Sequence, residues 1–152
     1  MILGQLCDEA MRIEAILQVI QSVTVRGDRM QDVTDIAYDS RRVRPGGLFV
    51  ALPGARRNGI EFVDDAIRRG AVAIVSEERL PRRGSVTHIQ VEDARRALAE
   101  IACAFYNQPS ARLRMIGITG TNGKTTTAYM ARAILRAAGH RPGMIGTVVY
   151  EM

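Results

Sequence analysis

The segment GITGTNGKTTT, residues 117–127, combines glycines, one lysine and a run of threonines. Glycines allow successive backbone N–H groups to turn inward and approach a phosphate without a clash of Cβ atoms. Lys124 stands at the start of a predicted helix, so its ammonium and the free N–H groups of the helix N-terminus can bind one phosphate chain. Thr125 follows and offers a hydroxyl to Mg²⁺. The pattern therefore predicts a nucleotide phosphate loop.

This loop departs from the common spacing of such motifs. Ile118 occupies the position of the usual first glycine, and Gly120 supplies the flexibility inside the loop instead. The alternative is a chance glycine-rich turn, but a strand before the loop and a helix after it favour phosphate binding. An enzyme of this kind also needs an acidic residue for its Mg²⁺ site. Glu151, the one acidic residue after the loop, is a poor candidate because it stands next to the last residue.

The elements around the loop are predicted from apolar periodicity and from glycine positions. Residues 114–119 (RMIGIT) are predicted as a strand that leads into the loop. A helix is predicted to follow the loop and to end at Gly139, a residue type that favours helix C-termini. A further strand is predicted at Met144–Ile145.

The part of the chain before Pro109 has the alternating strand and helix pattern of an α/β domain. Apolar runs predict strands, and apolar residues at spacings of three and four predict helices. The predicted strands are Ile13–Ile20, Val33–Ser40, Leu48–Leu52, Ala71–Ser76 and Thr87–Val91. The predicted helices are Leu3–Ala10, Glu61–Gly70 and Glu92–Asn107, and a turn is predicted at Arg44–Gly47.

Pro109 follows the last of these helices and cannot continue it. We therefore expect two domains, residues 1–108 and residues 109–152. The second is expected to be an incomplete P-loop α/β domain, because one helix and about two strands are fewer than an independently stable unit needs. We expect it to expose apolar surface for the same reason.

Composition and charge exclude several classes of protein. The formal net charge is +5, but the arginines form scattered pairs among acids without interleaved aromatic residues, which disfavours a nucleic-acid surface. No apolar run approaches the roughly 20 residues of a membrane helix, and the N-terminal segment is unlike a signal peptide, so we expect a cytoplasmic protein. Cys7 and Cys103 are expected to be buried thiols, and His88 and His140 to be exposed or capping side chains. Lys124 is the single lysine.

Several segments together resemble the Mur ligases, ATP-dependent enzymes that add amino acids to the UDP-sugar precursor of peptidoglycan. TGTNGKTT (119–126) resembles their ATP loop, and FYNQPSARLRMIGITGTNGKTTT resembles the junction into their central domain. Their N-terminal domain is resembled by two segments, DSRRVRPGGLFVALPG and NGIEFVDDAIRRGAVAIV. A later strand and loop of the family are resembled by GTVVY (146–150). The resemblance implies an α/β fold, with a uridine-nucleotide-binding domain followed by the truncated start of a P-loop ATPase-type domain.

The resemblance also implies roles for individual residues. Lys124 would be catalytic, and Thr125 would be the protein ligand of Mg²⁺. The residues implied for ATP are Gly120, Thr121, Asn122, Gly123, Lys124, Thr125 and Thr126. The residues implied for the UDP-MurNAc part of the substrate are Tyr38, Ser40, Ala55, Arg56 and Arg57. Without the resemblance, Asp39-Ser40-Arg41 favours a turn with a side-chain cap.

The implied reaction is ATP-driven amide formation. The γ-phosphoryl group passes to the terminal carboxylate of UDP-MurNAc-L-Ala-D-Glu, and the amine of a diamino acid then displaces phosphate from the acyl phosphate. The diamino acid is the third residue of the peptide. The Gly-Thr-Asn-Gly sequence and the later Gly-Thr-x-x-Tyr resemble the sequence of the family member that adds it. The alternatives are the corresponding part of the ligase that adds the terminal dipeptide, a cyanophycin-type relative, and a nucleotide-binding module without catalysis.

The family's carbamylated lysine, metal-binding acids and amino-acid-binding domain have no counterpart in these residues. We therefore expect a monomeric chain that is a fragment of a longer ligase or a truncated gene product, and that does not catalyse ligation alone. The residues that select the diamino acid lie in the domain that the chain lacks, so the sequence does not specify which one is added.

Overall fold

A computed structural model describes residues 10–54 and 57–146 and the backbone of residues 150–151. The chain divides between Arg112 and Leu113 into two compact units, called here the first and the second unit. The predicted assignment of one nucleotide site to each domain stays a prediction. No helix in the described ranges is long and apolar enough to cross a lipid bilayer.

Short strands and helices alternate along the first unit. In chain order they are Met11–Arg12 (β1), Ile13–Val19 (α1), Ser22–Arg26 (β2), Asp32–Val33 (β3), Asp35–Ala37 (β4), Gly47–Val50 (β5), Val63–Arg68 (α2), Ala73–Ser76 (β6), Thr87–Val91 (β7) and Ala94–Phe105 (α3). Turns of 3-10 helix lie at Ser40–Arg42, Gly59–Phe62 and Pro109–Arg112.

Five strands form the main sheet within the described residues, in the order β2-β7-β6-β5-β4. The strands from β4 to β7 are parallel, and β2 pairs antiparallel with β7 at one edge. Every residue of β5 and β6 is buried, as in strands that are covered on both faces. Helices α1 and α3 pack on one face, and α2 packs on the other. The predicted β-loop-α-β unit is confirmed.

The turn before β5 meets the end of α2 at two glycines. The N–H of Gly46 donates to the carbonyl of Gly70 at 2.9 Å, and both residues have positive φ, 82° and 95°. A Cβ atom on Gly70 would lie 2.8 Å from the Cα of Pro45, so the close approach also requires glycine. The predicted turn at Arg44–Gly47 and the predicted glycine cap of α2 are therefore confirmed.

The strand predicted at Ile13–Ile20 is wrong, because this segment forms α1. Ile13 and Ile16 are fully buried in the core beside α3, and Ile20 is also buried. These three positions are spaced by three and four, which places them on one face of a helix. The preference of isoleucine for strands is overridden here by the helical spacing of the buried positions.

The strand predicted at Val33–Ser40 is interrupted. Thr34 separates β3 from β4, and its N–H donates to the carbonyl of Gly46 at 3.0 Å. β3 pairs with β1, whereas β4 pairs with β5, so the two short strands belong to different sheets. The segment leaves the main sheet after Ala37 and forms a 3-10 turn at Ser40–Arg42.

Helix α3 confirms the amphipathic helix predicted at Glu92–Asn107. The side chain of Asp93 accepts hydrogen bonds from the N–H groups of Arg95 and Arg96, both at 2.9 Å, and so caps the helix. Its apolar face is buried in the core. Cys103 lies outside that face and is exposed, so the prediction that it is buried is wrong. Cys7 and residues 3–9 of the helix predicted at Leu3–Ala10 lie outside the described residues.

The second unit contains helix Lys124–Ala137 (α4) and two short paired strands, Met144–Ile145 (β8) and Tyr150–Glu151 (β9). The helix and the strand at β8 confirm the predictions for this region. Residues 114–119 do not form the predicted strand, because no described strand pairs with them through backbone hydrogen bonds. Apolar side chains are exposed in this unit, as expected, with more than half of each accessible at Leu113, Met115, Ile116, Met130, Ile134 and Ile145.

His88 on β7 is buried, so the prediction of an exposed or capping side chain is wrong for it. Its Nε2 lies 2.8 Å from the Oγ of Ser76, whose hydroxyl donates to the carbonyl of Glu78 at 2.7 Å. Since the single hydroxyl proton is already donated to Glu78, Nε2 is the donor to Ser76. Burial lowers the pKa of His88, although a hydrogen bond with the backbone of Glu78 opposes the shift.

The stability of the folded chain should fall as the pH is lowered below about 6.5, the ordinary pKa of histidine. The unfolded chain binds a proton at His88 there, and the folded chain binds it only at lower pH, so protonation favours unfolding. One such proton contributes at most about 1.4 kcal/mol per pH unit. Urea unfolding between pH 5 and pH 8 measures the effect.

The His88→Gln variant should lose this component of the pH dependence. His140→Gln is the matched control, because His140 is exposed and its removal should leave the dependence unchanged. An equal pH dependence in the His88→Gln variant and the unaltered chain would contradict the assignment to His88.

Candidate functional site

The predicted phosphate loop lies directly before α4, and its backbone conformation requires glycine at two positions. Gly120 has φ of 147° and Gly123 has φ of 76°, values that other residues rarely adopt. A Cβ atom on Gly123 would meet nothing within 4 Å, so the requirement there is the torsion angle and not crowding. Gly123 is the N-cap of α4, and its carbonyl accepts from the N–H of Thr127 at 2.9 Å.

The N-terminus of α4 has the electrostatics of an anion site. Lys124 is its first residue, and no acidic residue stands in the first turn to oppose the positive end of the helix dipole. The Nζ of Lys124 donates to the carbonyl oxygens of Gly120 and Thr121, at 2.5 Å and 3.4 Å. The ammonium therefore lies over the loop, where a phosphate would add to these contacts or replace them.

The chemistry of the loop fits a phosphate chain with a bound Mg²⁺. Thr125 stands in the first turn of α4, exposed, with its hydroxyl available as one ligand of the metal. Magnesium is usually bound by a few protein ligands together with phosphate oxygens and water. The described residues contain no group of three or more His, Cys, Asp or Glu side chains that could hold a metal by themselves. Phosphate oxygens would therefore have to supply part of the coordination.

The turn after β4 is organised by Asp39. Its Oδ1 accepts from the backbone N–H of Arg41 at 3.1 Å and from Nε of the same residue at 3.0 Å. Its Oδ2 accepts from Nη2 of Arg41 at 2.8 Å, so the two side chains form a bidentate ion pair. These bonds lower the pKa of Asp39 to about 2. The capped turn expected at Asp39-Ser40-Arg41 is confirmed.

Ser40 and Tyr38 differ in exposure although they belong to the same turn. Ser40 is buried, and its hydroxyl forms a hydrogen bond with the carboxylate of Asp65 on α2, which lowers the pKa of that carboxylate together with bonds from Arg69. Tyr38 is 64% exposed. Beside it opens a cavity of about 570 Å³, which is lined by residues 35–39 and 41–44. The cavity is open to solvent and is lined by one segment of the chain, and its volume is within the range of small-molecule sites.

The loop after β5 contains the other three residues predicted to contact UDP-MurNAc. Ala55 and Arg56 lie outside the described residues. Arg57 lies with its Nε 3.8 Å from the Oε2 of Glu61 and its guanidinium 5.2 Å from the ring centroid of Phe62. β4 and β5 are adjacent and parallel, so this loop and the Asp39 turn leave the sheet at the same edge.

The described ends of this loop are fixed by hydrogen bonds from other elements. Nη2 of Arg95 on α3 donates to the carbonyl of Pro53 at 2.8 Å. Asn58 and Glu61 form a capping box, and Nδ2 of Asn58 donates to Oε1 of Glu78 at 3.1 Å. The Pro53 end of the loop is thereby tied to α3, and the Asn58 end is tied to Glu78 in the segment that follows β6.

Sequence reasoning missed the charge on the wall of the cavity. Arg42 and Arg44 line it, but the sequence pattern places Arg42 in an arginine pair on solvated surface and Arg44 in a turn, so it predicts no binding role for either. The available signal was position, since both residues lie within four positions of Asp39-Ser40, at a predicted strand terminus. Asp65 was also missed, because its bond to Ser40 depends on how α2 packs on the turn.

Comparison with protein-family models identifies the family. Residues 32–106 match the model described as "Mur ligase family, catalytic domain", and residues 118–152 match the model described as "Mur ligase middle domain". Together the matches cover more than two thirds of the chain. The chain belongs to the Mur ligase family, as the motifs predicted.

Curated relatives agree with this placement. The UDP-N-acetylmuramoyl-L-alanyl-D-glutamate--2,6-diaminopimelate ligase of Solibacter usitatus (strain Ellin6076) is 54% identical over 121 residues, which are 80% of this chain and 24% of the relative. The protein of the same name from Geobacter sulfurreducens (strain ATCC 51573 / DSM 12127 / PCA) is 43% identical over 141 residues, which are 93% of this chain and 28% of the relative. The chain thus spans about a quarter of the length of these relatives.

Solved structures share the fold. Crystal structure I of MurF from Acinetobacter baumannii has a TM-score of 0.65 at 29% identity, over 85% of this chain and 28% of that chain. The MurF ligase from Thermotoga maritima, crystallised in complex with ADP, has a TM-score of 0.53 at 31% identity, over 68% of this chain and 23% of that chain. The predicted α/β fold class is confirmed.

The ion pair at the Asp39 turn gives a direct test of the described geometry. Asp39 should remain ionised until the pH falls to about 2, because the pair with Arg41 lowers its pKa. In the Arg41→Ala variant, this pKa should rise toward its ordinary value of 3.8. Carbon-13 NMR titration of the carboxyl groups measures both values.

The Arg44→Ala variant is the matched control, because Arg44 lies 3.9 Å from Asp35 and not beside Asp39. It should leave the titration of Asp39 unchanged. An Asp39 carboxyl that titrates near 3.8 in the unaltered chain would show that the bidentate pair does not form in solution.

Proposed function

We propose that this chain is the nucleotide-binding N-terminal part of a ligase of the MurE type. The whole enzyme would join 2,6-diaminopimelate to UDP-MurNAc-L-Ala-D-Glu, with ATP as the energy source. The observation that carries the proposal is the glycine-bordered loop in which Lys124 lies over the free N-terminus of α4. The names of the curated relatives support the substrate and the diamino acid.

The phosphate loop would hold the triphosphate of ATP during phosphoryl transfer. The backbone N–H groups at the start of α4 bind the phosphates, and Lys124 moves from the loop carbonyls to the β- and γ-phosphate oxygens. There it stabilises the charge that develops on the γ-phosphoryl group as this group passes to the substrate carboxylate. Mg²⁺, held by Thr125 and phosphate oxygens, would neutralise further negative charge.

ATP use has support from one solved structure. The MurF ligase of Thermotoga maritima, 31% identical over the matched part, was crystallised with ADP. In this chain, the nucleotide would contact Gly120, Thr121, Asn122, Gly123, Lys124, Thr125 and Thr126. The similar solved structures include MurF proteins, but the curated relatives at 43% and 54% identity favour the diaminopimelate-adding ligase over the dipeptide-adding one.

The first unit would bind the uridine-nucleotide end of the second substrate. The cavity follows β4 and the loop follows β5, so both lie at the carboxyl ends of these parallel strands. This is the edge of the sheet where α/β proteins bind ligands. The residues proposed for this contact are Tyr38, Ser40, Ala55, Arg56 and Arg57. Exposed Tyr38 is suited to pack against a base, whereas buried Ser40 is suited to hold the turn through Asp65.

We also propose that the chain by itself binds both nucleotides as a monomer but does not catalyse ligation. The described residues lack a cluster of acidic side chains that could complete a Mg²⁺ site. The chain also spans about a quarter of the length of the relatives named as ligases. These two observations favour binding without turnover. A cytoplasmic location is proposed only from membership of the Mur ligase family.

Calorimetric titration tests the proposal. The unaltered chain should bind UDP-MurNAc-L-Ala-D-Glu and Mg-ATP independently and release no phosphate. Lys124→Ala should weaken Mg-ATP binding by about tenfold or more, because a charge-assisted bond to phosphate contributes about 1.5–3 kcal/mol. The same variant should leave the affinity for the UDP-linked substrate unchanged.

Lys124→Arg is the control for charge alone. Its planar fork does not match the space that the compact ammonium occupies over Gly120 and Thr121, so it should not restore full affinity. Equal Mg-ATP binding in the unaltered chain and in Lys124→Ala would overturn the proposed role of the loop.

A further inference from the structure

The wall of the cavity after β4 carries more positive than negative side chains. It contains two carboxylates, Asp35 and Asp39, and three guanidinium groups, Arg41, Arg42 and Arg44. All of them belong to β4 or to the turn that follows it. The wall therefore has one positive charge in excess, in a cavity of a size that suits a small molecule.

Two of the three arginines are already paired. Arg41 forms a bidentate pair with Asp39, and the Nε of Arg44 lies 3.9 Å from the Oδ2 of Asp35. Hydrogen bonds from Arg41 are the main cause of the low pKa of Asp39, and the nearby charge of Arg42 is a smaller one. Arg42 is exposed and forms no hydrogen-bonded ion pair with a described carboxylate, although its nearby charge also helps to lower the pKa of Asp39. The excess charge of the wall is therefore located on Arg42.

A guanidinium without a carboxylate partner is available to bind an anion. It presents planar N–H donors that match phosphate oxygens in a bidentate geometry. The exposed ring of Tyr38 lies on the same wall and offers an apolar surface for a base. A phosphate-binding cation beside an aromatic surface suits a nucleotide better than a simple anion or an uncharged sugar.

We propose that Arg42 is the residue that binds the diphosphate of the uridine nucleotide in this cavity, while Arg41 and Asp39 hold the turn in shape. This inference rests on the proposed function of the first unit and adds a substrate-binding residue to it. Arg42 contributes charge and hydrogen bonds to the ligand, and Arg41 acts through the backbone of the turn.

Titrations with uridine diphosphate and with uridine separate the contribution of the phosphates. The Arg42→Ala variant of the full chain should bind UDP about tenfold to a hundredfold more weakly than the unaltered chain. It should bind uridine with unchanged affinity, because uridine carries no phosphate. Arg42→Lys should recover part of the affinity for UDP, since it keeps the charge without the planar fork.

Arg79→Ala is the matched control, because Arg79 is exposed, lies outside this cavity and changes the net charge by the same amount. It should leave the affinity for UDP unchanged. Loss of UDP affinity to the same extent in both variants would show a general charge effect and would overturn the role of Arg42. A weaker affinity of Arg42→Ala for uridine would also contradict it, because it would show a change in the shape of the site.

The experiment distinguishes this inference from the function on which it rests. If the unaltered chain binds neither UDP nor UDP-MurNAc-L-Ala-D-Glu, the proposed uridine site itself is wrong. If the unaltered chain binds UDP and the Arg42→Ala variant binds it equally well, the uridine site stands and the assignment to Arg42 is overturned.

Discussion

Burial of β5 and β6 on both faces is the constraint on which the first unit depends. Strands whose every residue is buried need cover above and below, so α2 packs on one face and α1 and α3 on the other. The connection from β5 to β6 contains α2, and the connection from β4 to β5 contains a 3-10 turn. Both connections join parallel strands, and the carboxyl ends of parallel strands lie at one common edge of the sheet. The Asp39 turn and the loop after β5 therefore lie at that edge for reasons that concern the core, before any ligand is considered.

The two proposed sites would bind a phosphate by different means. At the second unit, the backbone and the helix N-terminus supply most of the donors, and glycine torsion angles shape the loop. At the first unit, the proposed donor is a side chain, and neighbouring ion pairs hold the other arginines in place. A compact ammonium suits the phosphate loop of the second unit, and a planar guanidinium suits the cavity of the first unit. This difference agrees with the presence of one lysine among many arginines.

The features predicted from the sequence were those fixed by local patterns. The strands at β5, β6 and β7 follow from apolar runs, and α3 follows from its spacing and its acidic start. The segment at Ile13–Ile20 was misjudged, because isoleucine favours strands while its spacing there is helical. The strand at residues 114–119 could not be judged locally, since a strand needs a partner strand to form its ladder.

The site was less predictable than the fold. The phosphate loop is contiguous in sequence, so its glycines and Lys124 could be named directly. The two members of an arginine pair look alike in the sequence, yet Arg41 is hydrogen-bonded to Asp39 and Arg42 acts on Asp39 only as a nearby charge. That distinction depends on side-chain direction in the turn. The burial of Ser40 against Asp65 depends on tertiary packing in the same way.

The central claim is that one chain carries two separate nucleotide sites of different specificity. Amide chemical-shift mapping of the full chain, with UDP and with Mg-ATP in separate titrations, tests it most directly. UDP should shift residues around 38–44 and leave 120–127 unchanged, and Mg-ATP should do the reverse. Shifts of the same residues by both nucleotides would contradict the claim, as would the absence of any response at 120–127 to Mg-ATP.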